Sequence, residues 1–156
     1  MNNRGSEGER ILQMKIGTAN KASSFYEKQM LDHLNSYMRE FISKQEMVFI
    51  ATADSKGECD CSFRAGKQGF VRVLNEKTLL YPEYRGNGVM ASMGNILENP
   101  HIGMTFIDFF DNTIGLHVNG KAKIVENDEL LADETRTNVA NDAQKEGAVP
   151  ERWVFI

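Results

Sequence analysis

Between Tyr81 and Pro100 the chain reads YPEYRGNGVMASMGNILENP, in which Gly86, Gly88 and Ala91 have the G-x-G-x-x-A spacing of a phosphate-cradling turn. Glycines at that spacing let backbone approach a phosphate, and a helix starting behind them aims its free amides and positive end at the anion. Basic residues gather in the same region. From Ser62 to Gly88 there are five (Arg64, Lys67, Arg72, Lys77 and Arg85) against two acids (Glu76 and Glu83), a local excess of +3 in a chain whose net charge is −4. That pattern suits capture of a small anion, with Arg64, Lys67 and Arg85 as charge-assisted donors. The acidic total argues against a general nucleic-acid role, which needs a basic face. Two other uses of the turn stay open at this point. It could start a dinucleotide-binding parallel sheet, with Asp108 as the ribose-binding acid, or it could be a plain bend in which Gly86 and Gly88 take positive φ angles.

Other reactive residues offer less. Cys59 and Cys61 sit at i, i+2 in a β-rich run, so they share a face, but they form neither a C-x-x-C motif nor half of a zinc site, and no metal is expected. His33 falls on a helical stretch and reads as a surface or interface residue. His101 and His117 titrate near neutrality and are available for acid–base work, although a structural role is the simpler reading for each. No Ser/His/Asp or Cys/His set is present, so hydrolysis has no support.

The elements that must position these groups follow from periodicity. Residues 23–44 place Phe25, Tyr26, Met30, Leu34, Tyr37, Met38, Phe41 and Ile42 at helical spacing, with Ser24 and Glu27 as a capping box, and predict one amphipathic helix; a shorter helix precedes it near Glu9–Ile16 and stops at Gly17. From Met47 the texture changes to short runs: MVFIATAD, CDCSFRA, FVRVL and TLLYPE, joined by SKGE, GKQG and NEK. Such turns predict hairpins and an antiparallel sheet. A helix is expected over 89–98, two long β runs over 101–110 and 114–126, a further helix from Asn127 to about Asn141, and a last strand in RWVFI. Six or seven hairpin-linked strands suggest a small closed barrel. A βαβ sheet does not accommodate four hairpin strands ahead of the glycine turn, which sets the dinucleotide fold aside. Hydrophobic residues at 41% and charged residues at 26% suit one soluble globular domain over 1–156, divided into a helical lead-in (1–45) and a barrel (46–156). No apolar run reaches the ~20 residues of a membrane span. The first residues lack an apolar leader, so the expected location is cytoplasmic.

The runs GFVRVL, YPEYRGN and NILENPHIG, followed by IGLHVNGKAKIV, resemble the pyridoxamine 5′-phosphate oxidase-like family of FMN-binding split β-barrels, in particular its small members of unassigned substrate. The resemblance extends from GERILQ to PERWVFI. It implies an α+β, mainly β fold: an antiparallel split barrel of the FMN-binding type with an N-terminal amphipathic helix and two further helices. It also implies a homodimer with FMN in clefts at the subunit interface. By the resemblance, Ser62, Phe63, Arg64 and Lys67 correspond to the strand that binds the flavin phosphate, and Tyr81 and Pro82 to the strand ending beside the flavin. Arg85, Gly86, Asn87 and Gly88 correspond to the basic turn completing the phosphate site. Arg152 and Trp153 are the nearest match to an aromatic–basic pair that reaches the partner's flavin; packing alone would make Trp153 a core or interface residue.

Where the family's oxidases carry an Arg–Lys pair, this chain has Arg85-Gly86-Asn87-Gly88, and their C-terminal substrate-binding His and Arg have no counterpart up to Ile156. The resemblance therefore implies an FMN-dependent oxidoreductase that uses NADH or NADPH and an unidentified small molecule, rather than a pyridoxamine phosphate oxidase. The missing catalytic motif is consistent with this, because flavin supplies the redox chemistry itself. Two alternatives remain: a flavin-binding or storage protein without turnover, and a barrel using deazaflavin or haem.

Overall fold

A computed structural model describes residues 4–132, 138–139 and 149–156. By internal contacts the chain forms two compact units, 1–34 and 35–156. The first holds α1 (Glu7–Ile16) and α2 (Ala19–Lys28). Ser6 caps α1, accepting from the Glu9 amide while the Glu9 carboxylate accepts from the Ser6 amide, and Gly17 closes it at φ 75°. The capping box is thus at Ser6–Glu9, not at Ser24–Glu27. Tyr26 of α2 donates its hydroxyl to Glu9 and accepts from Gln13, which ties the two helices together.

The single helix expected over 23–44 is two. In the second unit, α3 (Ser36–Ser43) starts where the Asn35 side chain accepts from the Met38 amide at 3.0 Å. A good N-cap beats helix continuation, because its side chain satisfies an end amide that an unbroken helix would bond through backbone. The apolar spacing runs across the break, and that hid it.

Among the described residues eight strands follow: β1 (Met47–Ala53), β2 (Cys59–Ala65), β3 (Arg72–Asn75), β4 (Thr78–Glu83), β5 (His101–Ile107), β6 (Gly115–Lys121), β7 (Lys123–Glu126) and β8 (Arg152–Phe155), with α4 (Ala91–Glu98) between β4 and β5 and α5 (Asn127–Ala132) after β7. The expected continuation of α5 toward Asn141 lies almost wholly outside the described residues. The strands make two four-stranded sheets, β2-β1-β5-β6 and β3-β4-β8-β7, and every pairing is antiparallel. This is the expected α+β architecture, without a parallel sheet for a dinucleotide. Among the described residues neither sheet closes, which corrects the closed barrel suggested by the hairpin count. The reason lies in two connections: GKQG does not form a hairpin, since β2 and β3 are edges of different sheets, and α4 returns the chain from β4 to β5 in the other sheet. Gly69 in the first of these has φ 74°, and a Cβ there would meet the Ser43 carbonyl oxygen at 2.9 Å.

Burial explains how the sheets hold. On the first sheet Val48, Ile50, Ile102, Met104 and Phe106 are buried while their neighbours in sequence are more exposed, the period-2 signature of a half-buried strand. Helix α4 crosses this buried face, where Asn95 donates to the Thr52 hydroxyl at 3.1 Å. On the second sheet Leu80, Val125 and Trp153 form a cluster with Leu130 of α5.

Candidate functional site

Residues Asp60, Ser62 and Arg64 alternate along the edge strand β2 and lie opposite Thr52, Ile50 and Val48 of β1. The register therefore puts their side chains on the buried face of the sheet, and Cys59, Cys61 and Phe63 on the other. Phe63 is 62% exposed, so it does not share a face with its expected companions Ser62 and Arg64. Both cysteines are exposed and unpaired. Among the described residues there is no group of three or more His, Cys, Asp or Glu that could hold a metal ion.

Two polar clusters hold the inner row. Asp60 Oδ2 accepts from the Ser62 hydroxyl and from Ser92 in the first turn of α4, each at 2.9 Å; the two hydroxyl oxygens are 3.3 Å apart. Arg64 Nε donates to Glu83 Oε2 at 2.8 Å and Nη1 donates to the Phe63 carbonyl at 3.1 Å. The Arg64 and Glu83 side chains are only 20% and 13% exposed, so this pair is poorly screened and bridges the two sheets. The two bonds use two of the five N–H groups of the guanidinium.

Tyr81 and Pro82 face opposite ways because they are adjacent on β4. Tyr81 lies on the Glu83 side, fully buried, and its hydroxyl has no hydrogen-bond partner among the described residues. Burial, reinforced by the Glu83 carboxylate, pushes its ionisation well above the usual phenol range. Pro82 lies opposite Trp153, on the α5 side. Trp153 is 1% exposed, and its indole N–H donates to Asn127 Oδ1 at 3.0 Å. The ring packs in the core of the second sheet with its polar edge on Asn127. Arg152 is engaged with Glu126 at 3.0 Å.

The glycine turn is an exposed connection. Gly88 has φ 81° and Met90, the residue before α4, has φ 59°, while Gly86 is not in the left-handed region. The Asn87 side chain accepts from the Val89 amide at 3.0 Å. A Cβ at Gly86 or Gly88 would meet nothing within 4 Å, so these glycines answer a turn rather than a close approach. Arg85 is 90% exposed and pairs with Glu151 at 3.2 Å. Lys67 sits exposed in the β2–β3 connection and is itself engaged. Asp108, once a candidate ribose ligand, instead accepts from the amides of Phe110, Asp111 and Asn112 in its own turn, and these bonds, Asp111's first, hold its carboxyl below the usual range. His101 contacts Asn99 and His117 contacts Thr105, both on the open face of the first sheet; His33 pairs with Asp32 outside any helix.

The donor set on the inner row fits a phosphate in kind. It combines a half-buried guanidinium, two serine hydroxyls and the start of α4, where no side chain caps the helix amides. Asp60 and Glu83 already balance those donors. The residues that converge are Ser62 and Arg64 with Ser92, Asp60 and Glu83, of which the last three were not anticipated. Ser92 follows from placing Ala91 at the helix start; Asp60 follows from the period-2 row containing Ser62 and Arg64.

A separate cleft of about 740 Å³ lies between α3 and the β5–β6 turn, walled by Tyr37, Phe41, Met47, Phe109, Phe110 and Ile114. None of the residues expected to hold FMN lines it. The adjacent pair Phe109-Phe110 just past a strand was its one sequence signal, and Phe110 is 92% exposed.

A sequence model of the pyridoxamine 5′-phosphate oxidase family matches residues 34–154. No curated protein matches the chain in sequence. Among solved structures, HupZ of Group A Streptococcus superposes with a TM-score of 0.59 at 24% identity, over 78% of this chain and 86% of its own. A candidate pyridoxamine 5′-phosphate oxidase of Lactobacillus delbrueckii gives 0.56 at 18%, over 81% and 90%. An FMN-binding protein of Syntrophomonas wolfei gives 0.52 at 10%, over 91% of each chain. At these identities the likeness is one of fold. Among the described residues no helix is long and apolar enough to cross a membrane.

Proposed function

Because the chain belongs to the pyridoxamine 5′-phosphate oxidase family, we propose that it binds FMN with the phosphate on the inner row of β2 and acts as an oxidoreductase moving hydride between a reduced nicotinamide and a small molecule. The observation that carries the phosphate end is Arg64. It is a half-buried guanidinium two residues from Ser62, whose hydroxyl meets Ser92 at the uncapped start of α4. Phosphate there would accept from Arg64, from the serine hydroxyls and from the first-turn amides of α4, each geometry favouring an anion. Arg85 contributes at longer range, since it lies on the surface and already holds Glu151. Bound flavin would supply the hydride-accepting ring, which is why the chain needs no nucleophile of its own. What the protein does is bind, orient and hold the phosphate away from water. That the Syntrophomonas wolfei protein binds FMN supports the cofactor assignment by fold.

The same reading includes a homodimer. The open face of the first sheet exposes Met47, Ala51, Cys61 and Phe63, more apolar surface than an isolated sheet face should leave in water, and a second copy could cover it. Purified protein should be yellow with an oxidised-flavin spectrum that bleaches under NADH or NADPH. A colourless protein that binds neither FMN nor another flavin contradicts the proposal. A flavin spectrum unmoved by either nicotinamide would leave a binding protein, and a Soret band would replace flavin by haem.

A further inference from the structure

Two features of the inner row are individually unfavourable. The guanidinium assigned to phosphate is already occupied by Glu83 at 2.8 Å, with both side chains largely buried. Two residues before Glu83 on the same strand face, the Tyr81 hydroxyl is fully buried with no hydrogen-bond partner among the described residues, a state that disfavours folding. Glu83 is the carboxylate next along that face from Tyr81, and all of its described side-chain bonding goes to Arg64. One rearrangement removes both difficulties. If an anion takes Arg64, the released Glu83 carboxylate can accept from the Tyr81 hydroxyl, so the orphan donor gains its acceptor in the same step that frees the guanidinium.

We propose that Glu83 is an exchangeable counter-ion: it holds Arg64 in the empty protein and transfers to Tyr81 when a phosphate monoester binds. Charge accounting supports exchange over simple addition. A phosphate arriving beside an intact Arg64–Glu83 pair meets a neutral unit with a carboxylate facing it, together with Asp60 on Ser62 and Ser92, and gains little attraction. If Glu83 turns to Tyr81, its negative charge moves off the guanidinium and is stabilised by an O–H donor. The site then selects for ligands that bring their own negative charge and disfavours neutral ones, since only an anion replaces Glu83 on Arg64. This makes Glu83 and Tyr81 positioning residues, acting through Arg64 without touching the ligand themselves. The inference rests on the assignment of Arg64 to the phosphate.

The experiment titrates FMN and riboflavin, which lacks the phosphate, into the apo forms of wild type, Arg64→Ala, Glu83→Gln and Tyr81→Phe, following flavin fluorescence, with melting of each apo protein alongside. Glu83→Gln keeps an acceptor for Tyr81 but removes the competing charge, so FMN should bind about fivefold to tenfold more tightly while riboflavin is unchanged. Tyr81→Phe should weaken FMN about fivefold, one neutral hydrogen bond, while apo melting stays level or rises because an unsatisfied hydroxyl is gone. A purely structural ion pair predicts the opposite for Glu83→Gln: lower apo melting and weaker FMN. Arg64→Ala separates the two levels of the argument. If it leaves FMN affinity unchanged, the phosphate assignment itself fails. If it weakens FMN but Glu83→Gln does not tighten it, or Tyr81→Phe does not weaken it, the exchange alone is overturned.

Discussion

The inner row of β2 and the cleft beside α3 are two regions of one unit, built on different principles. The row is polar, half-buried and internally hydrogen-bonded: Arg64 pairs with Glu83, and Ser62 and Ser92 donate to Asp60. The cleft is aromatic and open; of the charged residues lining it, Lys44 pairs with Glu40 at 2.6 Å and Asp108 accepts from its own turn. A region of hydrogen-bonded polar side chains offers a charged group partners to exchange with, whereas exposed rings adapt to apolar surface. Size alone would pick the cleft as the site. Charge placement picks the row, and the two choices make different predictions.

The largest effect should come from the core of the second sheet. Trp153→Ala removes a buried indole and strands the Asn127 acceptor, so it should lower stability by about 3–5 kcal/mol in chemical denaturation, close to the whole stability of a small domain. Trp153→Phe keeps most of the volume and should retain FMN affinity in whatever fraction folds. A large loss of affinity in folded Trp153→Phe would restore the flavin contact that burial argues against.

Next comes the row itself. Arg64→Ala should weaken FMN by roughly tenfold to a hundredfold, the range of a charge-assisted hydrogen bond, as read by flavin titration. Arg85→Ala should cost no more than about threefold, because an exposed guanidinium paired with Glu151 is screened by water. Equal losses at the two arginines would mean that the glycine turn, not the inner row, holds the phosphate.

The cleft supplies the smallest effects. Phe110→Ala should leave FMN affinity within about twofold, since none of the row's residues lines the cleft. The Asp108 carboxyl is held below its ordinary value in the folded turn, so its contribution is present above the unfolded value and is lost as pH falls through the lowered folded value. Amide signals of Phe110, Asp111 and Asn112 should therefore stay fixed on acidification until below about pH 4. Loss of those signals near pH 6 would show that the turn does not depend on the Asp108 carboxylate.

What the sequence made legible follows the range of the interactions. The strand runs and α4 were readable because period-2 burial and a helix start are local patterns; Ser62 came from the family resemblance, and Arg64 from that and from its place in a basic stretch. Glu83 was visible only as one of two acids in a basic stretch. Its pairing with Arg64 crosses between sheets, and no spacing encodes that contact. The split of the expected helix over 23–44 turned on Asn35, a cap that outweighs continuous apolar spacing. Trp153 and Pro82 were assigned to the cofactor by resemblance, while strand parity sends both to the face opposite Tyr81. The cleft brings together residues from 37 to 116, a convergence that only the fold produces.

The central claim is that Arg64 on the inner row of β2 holds the phosphate of FMN. It is tested most directly by the ratio of riboflavin to FMN dissociation constants, measured by fluorescence titration in wild type and Arg64→Ala. The account predicts that wild type favours FMN by at least about tenfold and that most of this preference disappears in Arg64→Ala while riboflavin binding is unchanged. A preference for FMN that survives intact in Arg64→Ala would contradict it.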